Sequence, residues 1–207
     1  MDNVESVAKK QDLSHSEVMD IDTYFKRLVQ PETPPAIWRG EDILKVMDEM
    51  EKDPKRYPTY RRAVCLVNNS FSGAPGASPA IFAGLQRFRP GEHLPPHKHN
   101  SVALYYWVQG RGRAIVNGVE MHFKQGDVMT CPAWNEHEFF NDGDEDLIMF
   151  SVHDLPILAQ MRALFWEEPV GQGNVQQIVK AKAASWNAEE TEQDVANLRE
   201  ILIKTQG

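Results

Sequence analysis

A mainly β fold with a helical arm at each end is what this 207-residue sequence predicts, and three observations predict it. Between Arg61 and His153 the apolar residues fall in short runs, rich in β-branched and aromatic side chains and bounded by Gly, Pro, Asn and Asp. One boundary, Asn117-Gly118 between Ala114-Ile115-Val116 and Val119-Glu120-Met121, has the composition of a type I′ hairpin turn. Outside this region the apolar spacing becomes that of amphipathic helices. Many short strands with regular turns form a sandwich or a small barrel.

The elements follow in order. Residues 1–58 read as the N-terminal helical arm, with Ile21, Phe25 and Leu28 on one helical face. After the breaker Pro31-Glu32-Thr33-Pro34-Pro35, a second helix runs from Glu41 to Lys52 and aligns Ile43, Val46, Met47 and Met50. Acidic residues open it and Asp53-Pro54 close it. Residues 59–155 carry the barrel. Arg61 to Val67 and Ile81 to Phe88 are strands on either side of the Gly-, Ser- and Pro-rich loop Asn68 to Pro79. Val102 to Val108 is apolar and aromatic throughout, the pattern of a strand covered on both faces. Gly126-Asp127 turns the chain into Val128 to Cys131, and Leu147 to Val152 is a last strand. In the C-terminal extension, 156–207, strand signals fade. Gly171-Gln172-Gly173 interrupts the chain, Asn187-Ala188-Glu189-Glu190 resembles a capping box, and Val195, Leu198, Ile201 and Leu202 form a helical stripe. Apolar stripes on both arms need covering, which predicts a homo-oligomer.

Composition narrows the function classes. The net charge is −8, from 22 basic and 30 acidic residues, and no basic run could track a phosphate backbone, so nucleic acid is not an expected partner. No apolar run approaches the roughly 20 residues of a membrane helix, and the polar N-terminus lacks a signal-peptide core. A cytoplasmic protein without a membrane partner is expected. Cys65 and Cys131 lie in apolar stretches without disulfide or zinc-site spacing, and read as reduced, mostly buried thiols.

The chemistry is concentrated in Pro90 to Gly110, centred on His97-Lys98-His99. On a strand, residues two apart point to one face, so both imidazoles can enter one space. His137, from a neighbouring strand, would complete a one-sided cap on a metal ion. One His-x-His pair alone is a weak signal, since such pairs also occur on surface loops.

Two spaced motifs strengthen it. Gly91-x5-His97-x-His99, with Gly110 eleven residues later, resembles the first cupin motif, and Gly126-x5-Pro132-x-Trp134-x2-His137-x3-Asn141 resembles the second. The resemblance implies a single cupin double-stranded β-helix barrel with a metal at one end, bound by His97, His99 and His137. Most metal-binding cupins carry a glutamate ligand four residues after the second histidine, where this chain has Ala103. The glutamate-free frame is similar to the gentisate 1,2-dioxygenase branch, which includes salicylate and hydroxynaphthoate ring-cleaving enzymes. Arg61-Arg62-Ala63-Val64, Ala83-Gly84-Leu85-Gln86, Pro90-Gly91-Glu92 and Phe150 to Pro156 extend that similarity. Those relatives usually carry two cupins per chain, whereas this one has room for one.

That resemblance implies Fe(II), O2 and a hydroxylated aromatic substrate of the gentisate or salicylate kind. Three ligands on one face leave positions open for a chelating substrate and dioxygen. Gln86 aligns with a glutamine lining the site, and a strand glutamine bonded to a loop is its plain alternative. Arg61 or Arg62 aligns with an arginine that contacts the substrate carboxylate, and alternation allows only one to point inward. Tyr105 replaces a second carboxylate-binding arginine, Phe139 a histidine and Ser151 an aspartate, which implies a less charged pocket with a phenol as its polar handle. Gln86 and Tyr105 are the candidate catalytic side chains, and Arg61, Arg62, Gln86, Tyr105 and Phe139 the candidate substrate contacts. Trp134 is expected to shape the turn into His137, and His93, His122 and His153 read as ordinary surface or structural histidines. Alternatives from other classes are a metal-dependent lyase or isomerase, and a non-enzymatic cupin that binds a small aromatic.

Overall fold

The computed structural model describes residues 16–29, 32–70, 73–167 and 175–177. The expected helix with Val195, Leu198, Ile201 and Leu202 lies outside these residues.

The chain divides into two units at Thr33/Pro34. In the first, helix α1 (Ile21–Leu28) starts at Asp20, whose carboxylate accepts from the Thr23 amide at 2.9 Å, an N-cap. Lys26 and Arg27 in the last turn face the negative end of the helix dipole. Ile21, Phe25 and Leu28 all remain exposed, so among the described residues of this unit nothing buries the predicted apolar stripe.

The second unit opens with α2 (Gly40–Glu51), which buries Val46, Met47 and Met50 and packs on the first two strands. The strands are β1 (Ala63–Cys65), β2 (Phe82–Phe88), β3 (His93–His99), β4 (Ala103–Gln109), β5 (Arg111–Val116), β6 (Val119–Lys124), β7 (Val128–Cys131), β8 (His137–Phe140) and β9 (Leu147–His153). Helix α3 (Leu155–Gln160), β10 (Phe165–Glu167) and β11 (Val175–Gln177) follow. They form two antiparallel sheets, β1-β2-β9-β4-β7 and β11-β10-β3-β8-β5-β6. Phe88, Leu94, Trp107, Phe123, Phe139, Leu147 and Met149 fill the core, where the Trp107 and Phe123 rings stack at 3.5 Å. Burying side chains of this size contributes on the order of 2–3 kcal/mol each before entropy is counted.

The hairpin is where the sequence placed it. Asn117 and Gly118 adopt φ of 47° and 79°, the left-handed pair that a type I′ turn requires. Gly110 is needed for space as well as conformation: at φ 83°, an added Cβ would lie 2.8 Å from the Asp146 carbonyl. Asn141 ties the barrel mouth together, its amide donating to the carbonyls of Phe88 and Glu145 and its oxygen accepting from the Gly143 amide, each at 2.9 Å.

Three expectations differ. The strand expected over Arg61 to Val67 is shorter, because a 3-10 turn at Thr59–Arg61 precedes β1. Strand β4 is not covered on both faces: Tyr105 and Trp107 are buried, while Leu104 and Tyr106 are 42% and 40% exposed. A continuous apolar run does not distinguish these cases, since one face can be apolar and exposed. Of the two thiols, Cys131 is buried but Cys65 is exposed.

Candidate metal centre and pocket

The site begins with strand register. His97 and His99 share one face of β3 by the two-residue period, and His97 lies directly opposite His137 of β8. An irregularity between Leu94 and His97, at Pro95-Pro96, sets this pairing. Trp134, at φ 66°, donates its amide to the His99 carbonyl at 2.7 Å, so the turn before β8 is pinned to β3.

Each imidazole is oriented by a nearby peptide. Nδ1 of His97 donates to the Pro95 carbonyl at 3.0 Å, that of His99 to the Ser101 carbonyl at 3.0 Å, and that of His137 to the Asn135 carbonyl at 2.8 Å. With Nδ1 carrying the proton, Nε2 presents its lone pair. All three residues are buried, and one ligand atom from each lies within 4.8 Å of the others. Nε2 of His99 is buried without a hydrogen-bond partner. Burial lowers all three imidazole pKa values, His99 to about 3, with the neighbouring His137 adding to the effect at His97 and His99. Neutral nitrogens converging in this way fit a divalent transition-metal ion.

The opposing sheet supplies the other wall. Tyr105 of β4 places its hydroxyl 3.2 Å from Nε2 of His137, and burial raises its pKa, keeping the phenol protonated. Gln86 of β2 lines the cavity, while its amide nitrogen donates to the Thr59 carbonyl at 2.6 Å, so the pocket-lining and loop-bonded alternatives both describe it. Phe139 lines the cavity edge-on to Tyr105. Phe82, Leu94, Met149 and Leu155 make the rest of the space largely apolar, with a volume of about 140 Å³. That is close to the cavity size known to hold a benzene ring.

Arg62 is not brought to this cavity. Its guanidinium pairs with Glu92 and donates to the Arg87 carbonyl at 3.3 Å. The 3-10 turn sets the direction of Arg62 independently of strand alternation. The Arg61 side chain lies outside what is described. Among the described lining residues none is Lys or Arg.

Beside the apolar lining, two residues next to the histidines are not marked as pocket residues by the sequence, His153 and Trp166. His153 is buried, lines the cavity and sits 5.3 Å from the His99 ring, whereas it had read as ordinary surface or structural. Burial lowers its pKa to about 3, with His137 and His97 adding to the shift. Trp166 of β10 stacks on His97 at 5.6 Å and on His99 at 4.7 Å. The pairing of Trp166 with His99 across β10 and β3 holds the indole there. No periodicity around Trp166 could have marked it. His93 and His122 fit their plain reading: His93 stacks on Phe140 and bonds Glu138, and His122 lies on the surface beside Glu120.

A two-sheet antiparallel barrel with three histidines gathered at one end defines a cupin, and residues 84–153 match the family model described as Cupin domain. The chain is 39% identical over 176 residues to the 5-nitrosalicylic acid 1,2-dioxygenase of a Bradyrhizobium species, covering 83% of this chain and 84% of that enzyme. It is also 34% identical to a Haloferax gentisate 1,2-dioxygenase over 59% of this chain, but spans only 35% of that protein. Among solved structures, a variant salicylate 1,2-dioxygenase from Pseudoaminobacter salicylatoxidans, in complex with gentisate, superposes with a TM-score of 0.64. It shares 26% identity, over 81% of this chain and 46% of that one. The chain belongs to the gentisate 1,2-dioxygenase-like, ring-cleaving branch of the cupins.

Proposed function

We propose that this protein is an Fe(II)-dependent dioxygenase that cleaves the ring of a hydroxylated aromatic acid, of the gentisate or salicylate kind, using O2. One observation carries the reading. Three neutral imidazoles converge, without a carboxylate among them, at a cavity sized for an aromatic ring. His97, His99 and His137 would hold the iron, which would supply the open coordination positions and electron transfer between ring and dioxygen.

The protein's own part is positioning. Phe82, Leu94, Phe139 and Met149 offer an apolar slot, and Trp166 covers the His97 and His99 rings against water. Tyr105 now shares a hydrogen bond with Nε2 of His137. Metal binding at that nitrogen would free the phenol to donate to substrate. Gln86, held by Thr59, presents a fixed polar edge to the cavity. With Arg62 tied to Glu92, recognition of an acid would rest on the metal's charge and on neutral donors.

A homo-oligomer in the cytoplasm is part of the same proposal. No described helix is long and apolar enough to cross a membrane. The decisive test is oxygen uptake by anaerobically purified, Fe(II)-reconstituted protein over gentisate, salicylates, hydroxynaphthoates and hydroquinones. Uptake that requires iron is expected with at least one compound. Silence across the panel with iron bound would overturn the reading and favour a lyase, an isomerase or a binding protein.

A further inference from the structure

We propose that His153 is a substrate-positioning residue, whose imidazole hydrogen-bonds an oxygen substituent of the aromatic acid; this rests on the ring-cleaving reading above. Its place in the fold is the first argument. In the β4–β9 pairing, Ala103 is the direct partner of His153, and residues directly opposite in a sheet project from the same face. Ala103 brings only a methyl group to that face, and it is fully buried. Its methyl group leaves room, and the imidazole of His153 stands on that side of the site, 5.3 Å from the His99 ring and 5.8 Å from Tyr105.

The second argument is an account of polar groups. His153 is 8% exposed and lines the cavity, and its Nδ1 is buried without a hydrogen-bond partner. Nε2 of His99 is also unpartnered, but it belongs to the converging ligand atoms that would face a metal, which leaves Nδ1 of His153 for the substrate side. Nδ1 of His97, His99 and His137 donates to a carbonyl, as does the amide of Gln86. A buried polar nitrogen left alone is destabilising, and a ligand that satisfies it recovers that loss.

The third argument is what His153 does not do. It is absent from the group of converging ligand atoms formed by His97, His99 and His137. Its ring instead meets Phe82 edge-on, which fixes its plane at the cavity wall. With no Lys or Arg among the described lining residues, a neutral donor of this kind suits a carboxylate, hydroxyl or nitro oxygen on the ring.

The test compares the parent protein with His153→Leu and His153→Asn, the amide of Asn reaching the Nδ1 position. Each is loaded with Fe(II) and titrated without oxygen against salicylate, gentisate and 5-nitrosalicylate, with iron content and thermal unfolding measured alongside. The parent is expected to bind at least one compound. His153→Leu should raise that Kd by about 10-fold or more, with iron unchanged and the Asn variant recovering most of the affinity. Parent-like binding by His153→Leu would reduce the residue to packing. Loss of iron from it would make it a metal-holding residue, and equal weakening in both variants with lowered unfolding temperatures would mark a fold defect. Each of these overturns the proposal. A parent that binds but does not consume oxygen would refute ring cleavage while leaving the His153 comparison valid. A parent that binds none of the compounds refutes both.

Discussion

His97, His99 and His137 are each oriented by a main-chain carbonyl two residues away, so their geometry depends on local backbone more than on distant side chains. Removing one imidazole should therefore abolish metal retention without unfolding the barrel. His99→Ala is expected to weaken metal affinity by more than about 100-fold, measured by competition with a chelator, with a far-UV spectrum like that of the parent. Tyr105→Phe removes only the hydroxyl beside His137, and about a 100-fold fall in kcat with a nearly unchanged KM is expected from steady-state oxygen uptake. The buried histidines also set a pH dependence. Folded His99 and His153 titrate near 3, below the unfolded value of about 6.5, so the unfolded chain takes up protons first as pH falls. Metal-free protein should be fully stable above pH about 6.5 and lose stability progressively towards pH about 3. Unfolding midpoints in urea across that range would check it.

At the scale of elements, α2 is fastened to β2 by charge as well as by Val46, Met47 and Met50. Arg87, buried on β2, donates to Asp48 at 2.6 Å and to Glu51 at 2.7 Å. Arg87→Met should cost about 2–4 kcal/mol in denaturant unfolding, because Glu51 is left half-paired at a partly buried position. Elements were legible in the sequence wherever pattern and local geometry agree. The hairpin at Asn117-Gly118, helix α2 and the pair His97 and His99 follow from local spacing, whereas the addition of His137 is what the resemblance to the two cupin motifs implies. The pairing of Ala103 with His153 arises from register between strands far apart in the chain, which spacing does not encode. Trp166 reaches the site on a three-residue strand, too short for any periodicity. Spacing left Arg61 and Arg62 as alternatives, because a helical turn at Thr59–Arg61, invisible in the apolar pattern, precedes β1; Arg62 pairs with Glu92 instead of lining the cavity.

For the whole molecule, the outer face of the five-stranded sheet is the open question of packing. Leu104 and Tyr106 of β4 lie beside Val128 of β7, and all three are exposed. An apolar strip of this kind is expected to be covered by a second copy. Sedimentation should give a dimer or larger assembly, and Tyr106→Glu should shift it towards monomer; a monomeric parent would refute the expectation.

The two sheets also divide the work at the cavity. The three histidines stand on β3 and β8, whereas Gln86, Tyr105, Ser151 and His153 stand on β2, β4 and β9 of the facing sheet. If the histidines hold the metal and the facing sheet holds the ring, as proposed, the two sets of polar groups hang from different scaffolds and one can vary while the other stays. On the proposed reading, a lineage or a combinatorial library could exchange Gln86, Ser151 and His153 to explore new aromatic acids while the three histidines stay in place. This architecture is thus suited to substrate diversification without re-invention of the catalytic centre.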